Sequence, residues 1–133
     1  MLSNYPFTVL VFALALFVYA WVTMRVGAAR GKYDVQAPAT DGPPEFQRVF
    51  RTQMNTLEQI VMVVPALAIF AMAWGDLPAA IVGAFWPIGR ILYAVGYSKA
   101  PEKREVGFGI SFLATAILLI GGLVGIVMEL GVF

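Results

Sequence analysis

Residues 106–128 read VGFGISFLATAILLIGGLVGIVM, a run without a single charge. A bilayer's hydrocarbon core is crossed by about 20 predominantly apolar residues in helical form. This stretch is long enough by itself, and it has no charged face to turn toward water. It reads as a membrane-spanning helix. Three further stretches follow the same rule. Residues 1–24 hold no charge, residues 59–75 hold none, and residues 77–98 hold only Arg90. The second of these reaches spanning length once the polar-edged turn before Gln59 is added. The pattern predicts an all-α membrane protein, a four-helix up-and-down bundle. Its helices fall at about 5–29, 46–74, 77–98 and 104–130, with residues 1–133 as one domain. The first run lacks the basic leader of a signal peptide, since its first cation, Arg25, comes after the apolar stretch; it reads as a retained span.

Composition agrees. Of 133 residues, 60% are hydrophobic and 13% charged, against roughly 25% charged in soluble domains. Cysteine and histidine are both absent. That removes thiolate metal sites, a protein thiol nucleophile, the commonest metal ligand and the commonest general base. Zinc hydrolases and Ser-His-Asp hydrolases are excluded, no metal is expected, and an enzyme of this composition is expected to take its reactive group from elsewhere.

The cations have a pattern. Arg25, Arg30, Lys32, Arg48 and Arg51 flank the connection between the first two spans; Arg90, Lys99, Lys103 and Arg104 flank the one between the last two. In an up-and-down bundle both connections lie at one membrane face. The opposite face, with both termini and the turn at Gly75 to Pro78, has no Lys or Arg. The asymmetry places the cation-rich loops in the cytoplasm. A bacterial inner membrane and an endoplasmic reticulum membrane fit equally. The long polar loop, residues 31–44, holds Pro38, Asp41, Gly42, Pro43 and Pro44. It predicts turn and not helix, with Pro44 and Glu45 opening the second helix.

Within the second span Arg48, Arg51, Asn55 and Glu58 recur at spacings of 3, 4 and 3, one stripe on a helix. A carboxylate as deep as Glu58 is costly unless it meets a partner or a polar cavity. The stripe should therefore face the bundle interior or a subunit interface. It is either a structural seam, with Arg51 and Glu58 paired, or a ligand site. In the third span Arg90, Tyr93 and Tyr97 share a face. By themselves the tyrosines read first as an interfacial aromatic belt and Arg90 as a snorkelling arginine near a helix end; the alternative is a set of site residues. Trp21, Trp74 and Trp86 read as interface anchors. Gly121 and Gly125 form a small-xxx-small pair of the kind that permits close helix approach, and that also arises by chance.

Arg30, Arg48, Arg51, Arg90 and Arg104 all fall near one membrane face, with Asn55, Glu58, Tyr93 and Tyr97 just below. Guanidinium forks bind carboxylates, and a carboxylate binds an ammonium group. A small zwitterion with excess negative charge suits such a set. Glutathione, with two carboxylates, one amine and one thiol, is of this kind.

The run from Gly42 to Asn55, GPPEFQRVFRTQMN, continuing Thr56-Leu57-Glu58, resembles the MAPEG family, membrane-associated proteins in eicosanoid and glutathione metabolism. Arg90, Tyr93, Gly96-Tyr97 and Arg104 also stand where that family's pattern has them. The resemblance covers the whole chain and implies a homotrimer binding glutathione between neighbouring subunits. Carried over by position, Arg30 and Arg51 pair with glutathione carboxylates, with Gln53 and Arg48 nearby. Asn55 and Glu58 hold the glutamyl end, and Arg90, Tyr93 and Tyr97 complete the pocket. Arg104 lies beside the sulfur and is the catalytic residue, because an adjacent cation stabilises a thiolate. The implied activity is glutathione transfer, with peroxidase activity alongside it. The implied partners are a lipophilic electrophile or lipid hydroperoxide and membrane lipids; no nucleic acid is expected. Two positions depart from the pattern. The leukotriene-forming branch has a second arginine where this chain has Gly31, and the tyrosine that the resemblance expects after Glu58 is Gln59 here. The alternative is a non-catalytic lipid- or partner-binding scaffold of the same family. An anion pore is disfavoured, because the fourth span has no polar stripe.

Overall fold

The computed structural model describes residues 2–132. It contains four long helices, α1 (Pro6–Tyr33), α2 (Pro44–Trp74), α3 (Asp76–Lys99) and α4 (Glu105–Glu129). A short 3-10 turn, Pro101–Arg104, precedes α4. All four helices are long and apolar enough to cross a membrane. The bundle expected from the charge-free runs is the bundle found.

The helix ends differ in instructive ways. α1 runs one turn past the expected boundary and takes in Gly31, Lys32 and Tyr33. Arg30 and Lys32 in that turn complement the negative end of the helix dipole. The helix stops at Asp34, which adopts the left-handed conformation at φ 55°, tolerated by short polar side chains. The polar loop is thus shorter than residues 31–44. α2 starts at Pro44, as the Pro-Pro-Glu sequence suggested. Between α2 and α3 only Gly75 is non-helical, with φ 92° and ψ 174°, a conformation that glycine alone adopts cheaply. Both α2 and α3 continue unbroken through Pro65 and Pro87.

The core is built mainly of small residues. Val11 and Ala15 of α1 meet Val63, Ala66, Leu67 and Phe70 of α2, Ala79, Ala80 and Trp86 of α3, and Ala114 and Leu118 of α4. Between membrane helices, small residues allow the close packing that replaces a hydrophobic driving force. The α3–α4 crossing shows this best. A β-carbon on Gly89 would lie 2.7 Å from the Ser111 backbone nitrogen, and one on Gly107 would overlap the backbone of Tyr93. Gly121 and Gly125 act within the chain: Gly121 faces the Phe70 ring, and Gly125 faces Ala73 and Trp74. The small-xxx-small pair thus seats α4 on α2.

Trp86 is not an interface anchor. It is 1% exposed, and its indole N–H donates to Gln59 Oε1 at 3.1 Å. Trp86 shares a helix face with Ala79, Gly83, Arg90 and Tyr93, all buried, so helical phase carries it inward. Trp74 is at the end of α2, partly exposed, and donates to the Gly121 carbonyl at 2.8 Å.

The contacts fix which ends lie together. Asp76, opening α3, accepts from the backbone N–H groups of Phe7 and Thr8 at the start of α1. At the other end Gln53 of α2 donates to Thr23 of α1. The two cation-bearing connections therefore lie at one end of the bundle. The α2–α3 turn lies at the other.

Candidate functional site

The site builds outward from α2, whose two faces differ. Thr52 and Thr56 point inward and are buried, each donating to the carbonyl four residues earlier, Arg48 and Thr52. They lead into the apolar face of Val63, Ala66, Leu67 and Phe70. On the other face Arg51 and Glu58 form a two-pronged ion pair. Nη1 lies 3.0 Å from Oε1 and Nη2 3.2 Å from Oε2. Their side chains are 50% and 52% exposed on the single chain. The stripe therefore does not face the interior of its own bundle. Counting about 20 residues back from Trp74 puts Asn55 at the edge of the hydrocarbon layer and Glu58 inside it. A carboxylate so placed requires a polar partner or cavity around it, and within the chain Arg51 is that partner.

Arg90 comes to this region from α3. It is fully buried, at 0% exposure, so it does not snorkel. Its Nη2 donates to Thr56 Oγ1 at 2.9 Å, and its guanidinium lies 4.2 Å from the centre of the Tyr93 ring. Tyr93, 3% exposed, is core and not aromatic belt. Its ring lies 5.5 Å from that of Tyr97. Tyr97 in turn accepts a long hydrogen bond, 3.4 Å, from Arg104 Nη1, and the Arg104 guanidinium sits over the Tyr97 ring at 5.1 Å. Arg104 belongs to the 3-10 turn, one residue before α4, and is exposed.

These residues make two runs, one the Glu58–Arg51 pair and one from Thr56 through Arg90, Tyr93 and Tyr97 to Arg104. A cleft of about 410 Å³ lies between them, with Arg48 and Arg51 on one side and Tyr97 and Pro101 on the other. Four buried side-chain atoms here have no hydrogen-bond partner among the described residues: Arg48 Nε, Asn55 Oδ1, Arg90 Nε and Arg90 Nη1. Orphaned buried polar atoms each cost about 1–3 kcal/mol, and native structures hold few. Here all four lie on the predicted stripe and on the arginine that meets it.

Two predicted residues point elsewhere. Arg30 donates to the loop carbonyls of Ala39, at 2.6 Å, and Val35, at 3.4 Å, with its guanidinium over Phe46. Gln53 is bonded to Thr23. No hydrogen bond or ion pair among the described residues joins either to Arg51. One contributor was not singled out in the sequence. Thr56, the Arg90 acceptor, has a readable signal, since Thr52, Thr56 and Val63 share one helical face. Gln59, which stands where the resemblance expects tyrosine, is taken up by Trp86.

The structure is thus that of a four-helix membrane bundle with an arginine-rich polar cluster at one end. The chain belongs to the MAPEG family, whose family model matches residues 8–124, and it is an integral, multi-pass membrane protein. It is 48% identical over 121 residues to an uncharacterized protein of Synechocystis sp., covering 91% of this chain and 88% of the relative. It is 38% identical over 107 residues to microsomal glutathione S-transferase 2 of Homo sapiens, covering 80% and 73% respectively. It is 33% identical over 91 residues to leukotriene C4 synthase of Rattus norvegicus, covering 68% and 61%.

Proposed function

We propose that this protein is an integral-membrane glutathione transferase that conjugates the glutathione thiolate to lipophilic electrophiles. The observation that carries the reading is the set of partnerless buried polar atoms on Arg48, Asn55 and Arg90. They lie around an ion pair that a zwitterion can exchange for its own charges. Relatives named as glutathione S-transferases support the choice of zwitterion. Bound there, glutathione presents a carboxylate to Arg51 and its amine to Glu58, replacing one ion pair with two. Arg90 and Arg48 supply the remaining donors, and Asn55 Oδ1 accepts. Because the α2 stripe is half-exposed on one chain, a second subunit closes the site. The assembly is a homotrimer, with Arg30 and Gln53 of each chain flanking the site. The cation-rich end faces the cytoplasm.

Arg104 carries the chemistry. A free thiol with a pKa of roughly 8.5 is about 3% ionised at pH 7, so a cation that holds it fully as thiolate multiplies the nucleophile about 30-fold. The thiolate attacks an electrophilic carbon, the C–S bond forms, and the displaced electron pair is protonated or leaves with its group. With a lipid hydroperoxide the same thiolate attacks the terminal oxygen and the O–O bond breaks. The lipid leaves as its alcohol after protonation, and a second glutathione converts the sulfenic acid to disulfide and water.

Arg104→Ser should lower the conjugation rate about 30-fold at pH 7, with glutathione affinity changed less than threefold. It should also abolish the ultraviolet thiolate absorbance that the wild-type protein develops on adding glutathione. Unchanged conjugation by the variant refutes the role of Arg104. Absence of glutathione binding at millimolar concentration by calorimetry refutes the transferase and favours a non-catalytic lipid-binding scaffold.

A further inference from the structure

A second feature lies away from the polar cluster. A groove of about 450 Å³ runs between Leu14, Phe17 and Trp21 of α1 and Ala84, Pro87 and Ile91 of α3, within the range of small-molecule sites, ~300–1,000 Å³. Its lining side chains are all apolar, and the single methyl of Ala84 leaves it open. At the end nearer the cationic loops stands Trp21, with the Arg25 guanidinium 5.0 Å from its ring centre. Arg25 lies one helical turn beyond Trp21 on the same face. It is only partly exposed, and it makes no hydrogen bond or ion pair among the described residues.

Depth places this pair. Counting about 20 residues from Pro6 at 1.5 Å each brings the far edge of the hydrocarbon layer to Arg25. The groove along residues 14–21 therefore lies at acyl-chain level, and Arg25 at phosphate level. A cation without a counter-ion above an apolar groove of this depth complements one kind of molecule, an acyl chain carrying an anionic head.

We propose that the α1–α3 groove is a binding site for an anionic phospholipid, with one acyl chain along Leu14, Phe17 and Ala84 and the phosphate on Arg25 beside Trp21. Hydrocarbon contact alone cannot select this lipid, because the surrounding chains are equally apolar. Selection rests on Arg25, and one arginine at this level is worth about a fivefold preference for an anionic head. The site is independent of the glutathione reading, since none of its residues belongs to the polar cluster.

The test is native mass spectrometry of the detergent-purified protein after incubation with equimolar phosphatidylglycerol and phosphatidylcholine. Wild-type protein should retain phosphatidylglycerol about fivefold over phosphatidylcholine. Arg25→Gln should bring the ratio close to one, and Arg25→Lys should keep it. Ala84→Phe, which fills the groove, should lower retention of both lipids with the oligomeric state unchanged. An undiminished preference in Arg25→Gln overturns the proposal. So does Ala84→Phe changing the oligomeric state while lipid retention holds, which would make the groove a seat for a second copy of the chain.

Discussion

The two ends of the bundle use their polar groups differently. At the end with the α2–α3 turn the principal polar groups are matched within the chain. Asp76 takes the Phe7 and Thr8 N–H groups at 3.1 and 2.7 Å, capping α1 from a different helix. Trp74 donates to Gly121 at 2.8 Å. At the arginine-rich end, four buried polar atoms on Arg48, Asn55 and Arg90 are left over among the described residues, and the Arg51–Glu58 ion pair stands half-exposed. One end is closed for stability. The other carries polar atoms that the described residues leave unpartnered.

The comparison breaks most readily at Arg90. If its single bond to Thr56 is merely structural, Arg90→Met should cost stability. A buried charge replaced by an apolar residue of similar length is often neutral or stabilising, and Thr56 keeps its own bond to Thr52. We expect unchanged thermal unfolding in detergent. Glutathione binding should weaken by about 1.5–3 kcal/mol, the worth of a charged hydrogen bond, or on the order of 10- to 100-fold in Kd. Calorimetric titration and a melting curve on the same preparation decide it. A fall in melting temperature with unaltered binding would make Arg90 a seam residue.

Asp76→Ala is the converse. It removes both acceptors from the first turn of α1, and loss of a helix cap costs about 1–2 kcal/mol. Unfolding should shift accordingly while glutathione Kd stays within twofold, because Asp76 is at the opposite end from Arg104. Asp76→Asn, which keeps one acceptor, should lose about half as much. An effect of Asp76→Ala on glutathione binding would show that the two ends are coupled, against the division drawn above.

Much of this was legible in the sequence, for physical reasons that also mark where legibility stops. Charge-free runs of span length admit only helices in a bilayer, since every backbone group must be satisfied internally; the four helices and their order follow from them. The Arg48, Arg51, Asn55 and Glu58 stripe was visible because charge is rare in such helices. Which face of an apolar helix is core and which meets lipid was not visible, because both surroundings are apolar. Trp86 shows the consequence: by position it resembled an anchor, and only its phase with Gly83, Arg90 and Tyr93 reveals it as core. The extra turn of α1 was hidden behind Gly31, which reads as a breaker until Asp34 is seen to supply the left-handed stop. The engagement of Arg30 by the Val35 and Ala39 carbonyls depends on the path of the loop, which no spacing rule encodes.

The smallest effects sharpen the contrast furthest, because they remove one polar group from each end and keep an aromatic ring there. Trp74→Phe deletes the indole donor to Gly121 and leaves an aromatic beside Phe70, its neighbour at 6.4 Å. The Trp74 side chain is partly exposed, so solvent can replace the lost partner; the cost should be about 0.5–1 kcal/mol, read as a small drop in melting temperature with unchanged kcat. Tyr97→Phe deletes the hydroxyl that accepts from Arg104 and preserves the ring against Tyr93. That bond is long, 3.4 Å, and holds little stability, so melting should not move. It does orient the guanidinium argued to stabilise the thiolate, so kcat should fall several-fold, with the pH profile of conjugation displaced to higher pH as the thiol becomes harder to ionise. If both variants shift melting alike and neither moves the pH profile, the arginine-rich end is as structural as the other, and its leftover polar atoms serve subunit contact alone.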